Sequence, residues 1–498
     1  MTGGTHVGGT GLIDLAARRL GGMVLDANDE FFAAKENLLD PLPPVFDPLR
    51  YSDRGKEMDG WETRRKRGEG HDWCVVRLGV PGVVEAAIVD TSHFRGNYPA
   101  GFALEGCVSE DGPPPPEGAW TPLLDRTDLR GDAAQRVEVP APWRVTHVRF
   151  SIFPDGGVAR LRLLGRPLVD LHRAAGPTGR LDLAAAINGG RAVACSDEFF
   201  SSPHNLVMVG DGRDMGDGWE TKRRRGPGED WAVLQLAATG VIDRVELDTT
   251  HFKGNYPDRC AVEGLHMPGA AAADLPPEGW VSLVPPSPMQ PHARHRFDLV
   301  DPAPVSHLRL RVIPDGGVAR LRAFGVITDD GWRASGLALL DVMVPEAARA
   351  ALLACCGSPA WVQGMIARRP FGEPATLLAA ADEVWGDLGE EDRREAFAAH
   401  PRIGERATAR WASSEQSATA TAADTTLAEL AEGNRAYEER FGHVFLIRAT
   451  GRSSEEMLAA LRERLGNDPA TELAVAAEQQ RQITALRLER LLREGAPA

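Results

Sequence analysis

A carboxylate and an imidazole three residues apart occur twice in this chain, as Asp90 with His93 and as Asp248 with His251. Each pair lies in the string Asp-Thr-x-His-Phe-x-Gly-Asn, so Asn97 and Asn255 follow at matching places. With Glu30, Glu105, Glu198 and Glu263 nearby in sequence, these residue types can move protons. Gathered into a cluster they could hold a divalent cation that activates water, and the sequence leaves metal dependence open. Side chains three apart on an extended segment face opposite sides, but at a strand end turning into a loop they can converge. The plainer alternative is that both histidines hydrogen-bond loop backbone and both aspartates cap turns. A basic run follows a tryptophan in each half, opened by Arg64 after Trp61 and by Lys222 after Trp219. It offers a cation to an anionic substrate or a partner domain, or else it is a solvated face.

The last third carries a different set. His400 precedes Pro401, which disfavours helical geometry at the histidine and so ends a helix there. The C-terminal dipole of that helix favours the protonated ring. Ser413-Ser-Glu-Gln416 adds the Glu415 carboxylate and the Gln416 amide. A helical stripe then runs Leu473, Ala476, Gln480, Ile483, Arg487, Leu491. A guanidinium on an apolar stripe must meet a carboxylate, a group of carbonyls or an anionic ligand. Imidazole, carboxylate and guanidinium together suit acid/base work on an anionic substrate. The alternative is that His400 only closes its helix.

The positioning elements follow from a duplication. Asp59-Gly-Trp-Glu-Thr63 returns as Asp217-Gly-Trp-Glu-Thr221, and Pro154-Asp-Gly-Gly-Val-Ala-Arg-Leu-Arg162 returns as Pro314-Asp-Gly-Gly-Val-Ala-Arg-Leu-Arg322. Such a period is too long for a solenoid, whose units run to roughly 20–50 residues, so a whole domain is repeated. Alternating segments at Trp73–Leu78, Ala87–Asp90 and Val145–Phe153, and their counterparts at 231–236, 245–248 and 307–313, read as short strands broken by Gly, Pro and Asp turns. Many short strands argue for antiparallel sandwiches or jelly rolls. Short helices are expected near Leu12–Leu20 and Leu181–Ile187. After Asp330 the texture becomes Ala/Leu/Glu/Arg-rich and helical in period, with helices over 456–465 and 469–493. The expected fold is multidomain: an all-β sandwich over 1–175, a second over 176–330, and an all-α helical bundle over 336–494.

Length and charge bound the function. The 498 residues suit three domains at roughly 150 each, and a net charge of −15 argues against a broad nucleic-acid footprint. Six cysteines without metal-ligand spacing fit a reducing cytoplasm. The opening residues lack a basic-then-apolar leader, and no apolar run is long enough to span a membrane, so a cytoplasmic protein is expected.

The shared strings, with His71-Asp-Trp73, resemble allantoicase over about residues 10–328, in both copies. The resemblance implies two discoidin-like (galactose-binding-like) jelly rolls, hydrolysis of allantoate to ureidoglycolate and urea, and a homo-oligomer. His400-Pro-Arg-Ile-Gly404, Glu415-Gln416, Tyr437-x-x-x-Phe441-Gly-x-x-Phe445, Arg464-Leu-Gly-Asn-Asp468 and Leu486-Arg-Leu488 resemble the decarboxylase of 2-oxo-4-hydroxy-4-carboxy-5-ureidoimidazoline (OHCU), from about 336 to 493. That resemblance implies release of CO₂ to give (S)-allantoin without a cofactor. It makes His400 the catalytic imidazole, Glu415 its acidic partner, Arg487 the substrate-binding cation and Gln416 an orienting amide. For the first half, His93, His251, Asp90 and Asp248 are the candidate catalytic groups, and Arg64, Lys222, Asn97 and Asn255 the candidate substrate-binding groups. The competing reading makes the sandwiches a non-catalytic ligand-binding module attached to an active decarboxylase.

Overall fold

The computed structural model describes residues 11–110, 118, 120–402, 424–450 and 452–495. The chain forms two compact units, Met1–Gly331 and Trp332–Ala498.

In the first copy the main strands are β1 (Ile13–Asp14), β2 (Met23–Ala27), β3 (Asp72–Asp90), β4 (Gly101–Cys107), β5 (Thr121–Asp128), β6 (Ala134–Glu138), β7 (Arg144–Phe153) and β8 (Arg160–Pro167). They form an antiparallel sheet in the order β1-β8-β3-β7-β4-β5, with β2 and β6 also paired to β3. The two short strands expected at 73–78 and 87–90 are one 19-residue strand. Gly79 and Gly82 punctuate it because backbone crowds them: a Cβ at Gly82 would stand 2.3 Å from the Arg166 carbonyl oxygen. The N-terminal part of β3 pairs with β2 and β7, and its C-terminal part with β6 and β8. One strand therefore serves both layers of the sandwich.

The second copy repeats this: β9 (Arg180–Asp182), β10 (Arg191–Cys195), β11 (Asp230–Asp248), β12 (Arg259–Leu265), β13 (Val281–Pro288), β14 (Arg294–Asp298), β15 (Val305–Ile313) and β16 (Arg320–Ile327), with the same order around the long strand β11. The helices expected near 12–20 and 181–187 are instead short strands, β1 and β9, each followed by a single tight turn, Arg18–Leu20 and Ala186–Asn188. Asp14 and Asp182 accept backbone N–H groups on both sides, from Leu163 and Ala16 and from Ala323 and Ala184, which draws these segments onto the sheet edge. A one-turn helix, α1 (Leu171–Ala175), joins the copies.

The helical unit contains α2 (Asp329–Val342), α3 (Pro345–Cys355), α4 (Pro359–Ala367), α5 (Pro374–Asp387), α6 (Glu390–Ala398), α7 (Asp424–Phe441), α8 (Ser454–Arg464) and α9 (Pro469–Glu494). Leu377, Ala381, Val384 and Trp385 of α5 pack into a core with Trp361, Phe397, Leu488 and Leu492. Asp468 caps α9 through the N–H groups of Ala470 and Thr471. Glu472 is fully buried and accepts from Arg464 Nε at 2.9 Å, Asn467 Nδ2 at 2.7 Å and the Tyr437 hydroxyl. Arg464 also donates to the Leu446 carbonyl at 2.6 Å. The motif residues Tyr437, Arg464 and Asn467 thus form one satisfied network that ties α7, α8 and α9 together.

All six cysteines are buried free thiols. Among the described residues, no helix is long and apolar enough to cross a membrane.

Candidate functional sites

The three segments shared by the copies meet at one place in each sandwich. Trp61–Glu62 pairs with Gly157–Val158, and Gly157 N–H donates to the Asn97 carbonyl at 2.7 Å. Phe94 is fully buried beneath them, and a Cβ on Gly157 would lie 1.9 Å from its ring. Trp219–Glu220, Gly317, Asn255 and Phe252 repeat the arrangement, with a 2.0 Å clash at Gly317. Close packing therefore accounts for Phe and Gly in these strings.

Asp59 and Arg160 lie at the two ends of the shared strings and come together. Arg160, 4% exposed, donates Nη1 and Nη2 to the Asp59 carboxylate at 3.0 and 2.8 Å and Nε to the Leu42 carbonyl at 2.9 Å. Burial would raise the Asp59 carboxyl, but hydrogen bonds from Arg160 and Val45 and the Arg160 and His93 charges hold it below the usual carboxylate range. Asp217 and Arg320 form the equivalent pair at 3.1 Å.

His93 and His251 adopt left-handed backbone, at φ 72° and 73°. Such strain in a non-glycine residue persists only where surroundings fix it. Here the His93 N–H donates to Asp132 at 2.8 Å, whereas the His251 N–H donates to His292 Nδ1 at 2.8 Å. Each ring's Nε2 faces a backbone carbonyl, Pro44 at 3.3 Å and Gly212 at 2.8 Å. A carbonyl only accepts, so in the neutral ring Nε2 carries the proton and Nδ1 the lone pair. Phe46 stacks on His93 with centroids 5.5 Å apart, and Lys56 Nζ sits 4.4 Å above the Phe46 ring. In the second copy His292 meets His251 edge-on at 5.7 Å.

The other sequence candidates have defined neighbours. Asp90 and Asp248 accept the N–H of the residue two further on, at 2.8 and 2.7 Å, and Asp248 also pairs with Arg294 at 3.3 Å. Asn97 Nδ2 donates to Glu62 at 2.6 Å, and Asn255 donates to Glu220. Burial raises the Glu62 carboxyl despite the Asn97 bond. Arg64 pairs with Asp29 at 2.6 Å and Lys222 with Asp197 at 3.3 Å. Among the described residues, no three His, Cys, Asp or Glu side chains are grouped to hold a metal ion.

In the helical unit, α6 ends at Ala398 and the His400 N–H donates to the Phe397 carbonyl at 3.0 Å, as Pro401 requires. The expected protonated ring is not what the site favours. Burial and then the Arg487 charge push His400 down to about 3, against a small opposing effect of Gln480. A helix dipole acting through solvent is weaker than burial beside a guanidinium. His400, Gln480 and Arg487 therefore share one site. Among the described residues His400 Nε2 and Gln480 Oε1 are buried without a hydrogen-bond partner, while Gln480 Nε2 donates to Thr484 at 3.2 Å. Thr484 also lines a cavity of about 160 Å³ between α5 and α9, with Trp385 in its wall. Glu415 and Gln416 lie outside the described residues.

Sequence reasoning passed over the Asp59–Arg160 and Asp217–Arg320 pairs, although all four residues stand inside the repeated strings. It also missed Arg19, Arg213, His292 and Arg294. Comparing the copies could not find these, because each differs between them.

The family model described as Allantoicase repeat matches residues 13–168 and 181–328, and that described as OHCU decarboxylase matches 341–489. The Burkholderia pseudomallei (strain K96243) protein named Probable allantoicase 2 is 49% identical over 318 residues, covering 63% of this chain and 94% of that relative. Probable allantoicase of Stutzerimonas stutzeri (strain A1501) is 45% identical over 319 residues, covering 63% and 96%. The crystal structure of allantoicase from Saccharomyces cerevisiae superposes with a TM-score of 0.54 at 35% identity, covering 63% of this chain and 93% of that one.

Proposed function

The chain belongs to the allantoicase family and carries an OHCU decarboxylase domain behind it, and on that premise we propose how its residues divide the two reactions of a bifunctional ureide-catabolising enzyme.

In the first reaction, allantoate and water give ureidoglycolate and urea. The C–N bond to one ureido group breaks, water supplies oxygen to that carbon, and the departing nitrogen takes a proton. A histidine whose Nε2–H is committed to a carbonyl presents Nδ1 as the base for that water, and then returns the proton. His251, facing Gly212, and His93, facing Pro44, are the two candidates. Asp248 and Asp90 hold the histidine turn in register. Asn255 with Glu220, or Asn97 with Glu62, is suited to the ureido groups, and Lys222 or Arg64 to the carboxylate.

In the second reaction the C–CO₂ bond of OHCU breaks, the electron pair is delocalised into the ring, and a proton is delivered to one face to give (S)-allantoin. Arg487 holds the anionic substrate. His400 is neutral at rest, so it first accepts a hydrogen bond or proton from the ring-carbon hydroxyl and then relays it, with Glu415 fixing its tautomer and Gln416 orienting the ureido arm. The observation that carries this half is the grouping of His400 with Gln480 and Arg487, in which His400 Nε2 and Gln480 Oε1 have no partner among the described residues. No cofactor is required for it.

The product of the second reaction is cyclic and the substrate of the first is open, so a separate ring-opening hydrolysis lies between them. The enzyme works in the cytoplasm as a homo-oligomer. The test is a paired assay on the purified chain: urea from allantoate, with and without chelator, and stereospecific (S)-allantoin from OHCU. Both activities are expected. His400→Ala should abolish only stereospecific decarboxylation, and full activity in that variant removes the assignment.

A further inference from the structure

The two copies present different charge at the place where their shared strings meet, and the difference includes a residue passed from one copy to the other. Arg19 lies in the tight turn of the first sandwich. It donates Nη1 to Asn205 Oδ1 at 3.0 Å and forms an ion pair with Asp217, both in the second sandwich. Asp217, with its side chain 3% exposed, also takes Arg320 at 3.1 Å and Arg213 at 3.3 Å. Three guanidiniums thus surround one carboxylate. Burial lowers the Arg19 pKa; the Asp217 charge opposes this, while Arg320 and Arg213 add to it. A little further out, Arg294 bridges Asp248 and Asp211.

The corresponding positions in the first sandwich lack these cations. The backbone N–H that meets the carboxylate belongs to Val45 at Asp59 and to Arg213 at Asp217. The strand neighbour of Asp90 is Ala134, whereas that of Asp248 is Arg294. The middle residue of the tight turn is Arg19 in the first copy and Ile187 in the second. Asp132, an acid beside His93, is replaced by His292 beside His251. Every one of these changes makes the second site more positive. Arg213 follows directly on Gly212, whose carbonyl faces the His251 ring, and its side chain is 68% exposed.

We propose that the second sandwich holds the carboxylate of allantoate on Arg213, beside the Asp217–Arg320 pair, and that Arg19 of the first sandwich completes this site as a positioning residue. Arg213 replaces Arg64 and Lys222 in this role: all three are paired with an aspartate, but only the aspartate of Arg213 is shared with two further arginines. This rests on the allantoate-hydrolysing reading above. Arg19 offsets the Asp217 charge, so Arg213 remains available to an incoming anion.

The experiment uses the full chain and measures KM and kcat for urea release, with OHCU decarboxylation on the same sample as the control for the second unit. Arg213→Val, which copies Val45, should raise KM for allantoate by at least about tenfold, with a smaller change in kcat, and Arg213→Lys should recover part of the loss. Arg19→Ile, which copies Ile187, should raise KM with unchanged decarboxylation, and Arg19→Lys should restore it in part. Val45→Ala should leave urea release unchanged. Wild-type KM in Arg213→Val, which is exposed enough to fold normally, overturns the inference while the allantoate reading stands. Absence of urea release by the unsubstituted chain sinks both.

Discussion

The two sandwiches share a scaffold and differ in what they place on it. In the first, the histidine turn is held by an acid, Asp132, and roofed by Phe46, itself covered by Lys56. In the second, the turn is held by another imidazole, His292, and the neighbouring carboxylate is enclosed by three arginines. The residues common to both copies do the work of the fold: Phe94 and Phe252 beneath paired glycines, Asp59 and Asp217 on buried arginines. The chemistry that separates them lies in residues that changed after duplication. Identity between copies therefore covers both packing residues and the histidine turn, while divergence sets the charge around that turn.

The shared part of that comparison is the easiest to break. Gly157→Ala and Gly317→Ala should each destabilise their sandwich by more than about 3 kcal/mol, since a Cβ would overlap an aromatic ring that has nowhere to move. Denaturant unfolding should show similar losses for both; a mild effect in either would mean the motif glycines are there for another reason.

Charge should separate the copies. Asp217→Asn leaves the buried Arg320 and the partly buried Arg19 without their counter-ion and should cost about 3–5 kcal/mol. Asp59→Asn removes a carboxylate whose side chain is 32% exposed, against 3% for Asp217, and should cost only about 1–2 kcal/mol because solvent screens that pair more. Equal losses would contradict the asymmetry.

A smaller contrast concerns acid. The second copy holds His204 and His307, each pushed down to about 4 by burial, with Arg191 adding to the effect; the counterpart of His307, His147, is also lowered by burial, so His204 carries the contrast. Unfolded, both titrate near 6.5, so between pH 6.5 and about 4 the unfolded chain binds more protons and stability falls as pH drops. Glu36, in the short turn Lys35–Leu39, stands where His204 does in Pro203–Val207 of the second copy. His204→Gln should move the acid limb of thermal unfolding to lower pH. No movement would show that His204 takes up its proton without penalty.

The chain's architecture was largely legible because it is written in long-range texture: period-two alternation, a domain-length repeat, then an Ala/Leu/Glu/Arg-rich helical third. Two local readings failed for identifiable reasons. Gly79 and Gly82 looked like turn formers, yet they are close-approach positions inside a continuous strand. Apolar residues near 12–20 and 181–187 suggested helices, yet Asp14 and Asp182 fasten those segments to a sheet edge some 140–150 residues away in sequence. Site legibility split the same way. His400 and Arg487 could be nominated because a proline and an apolar stripe gave each an orientation. Arg19 was not, because its partners belong to another domain and nothing local in sequence records them. His400's charge state was misjudged since the reading counted a helix dipole and had no access to burial beside Arg487.

The most direct test of the unequal-copies account is kcat/KM for urea release from allantoate by His93→Ala and by His251→Ala in the full chain, with OHCU decarboxylation measured alongside. The account predicts a loss of at least about a hundredfold for His251→Ala, within the range for removing a general base, and near wild-type hydrolysis for His93→Ala, with decarboxylation intact in both. Equal losses, or a loss confined to His93→Ala, would contradict it.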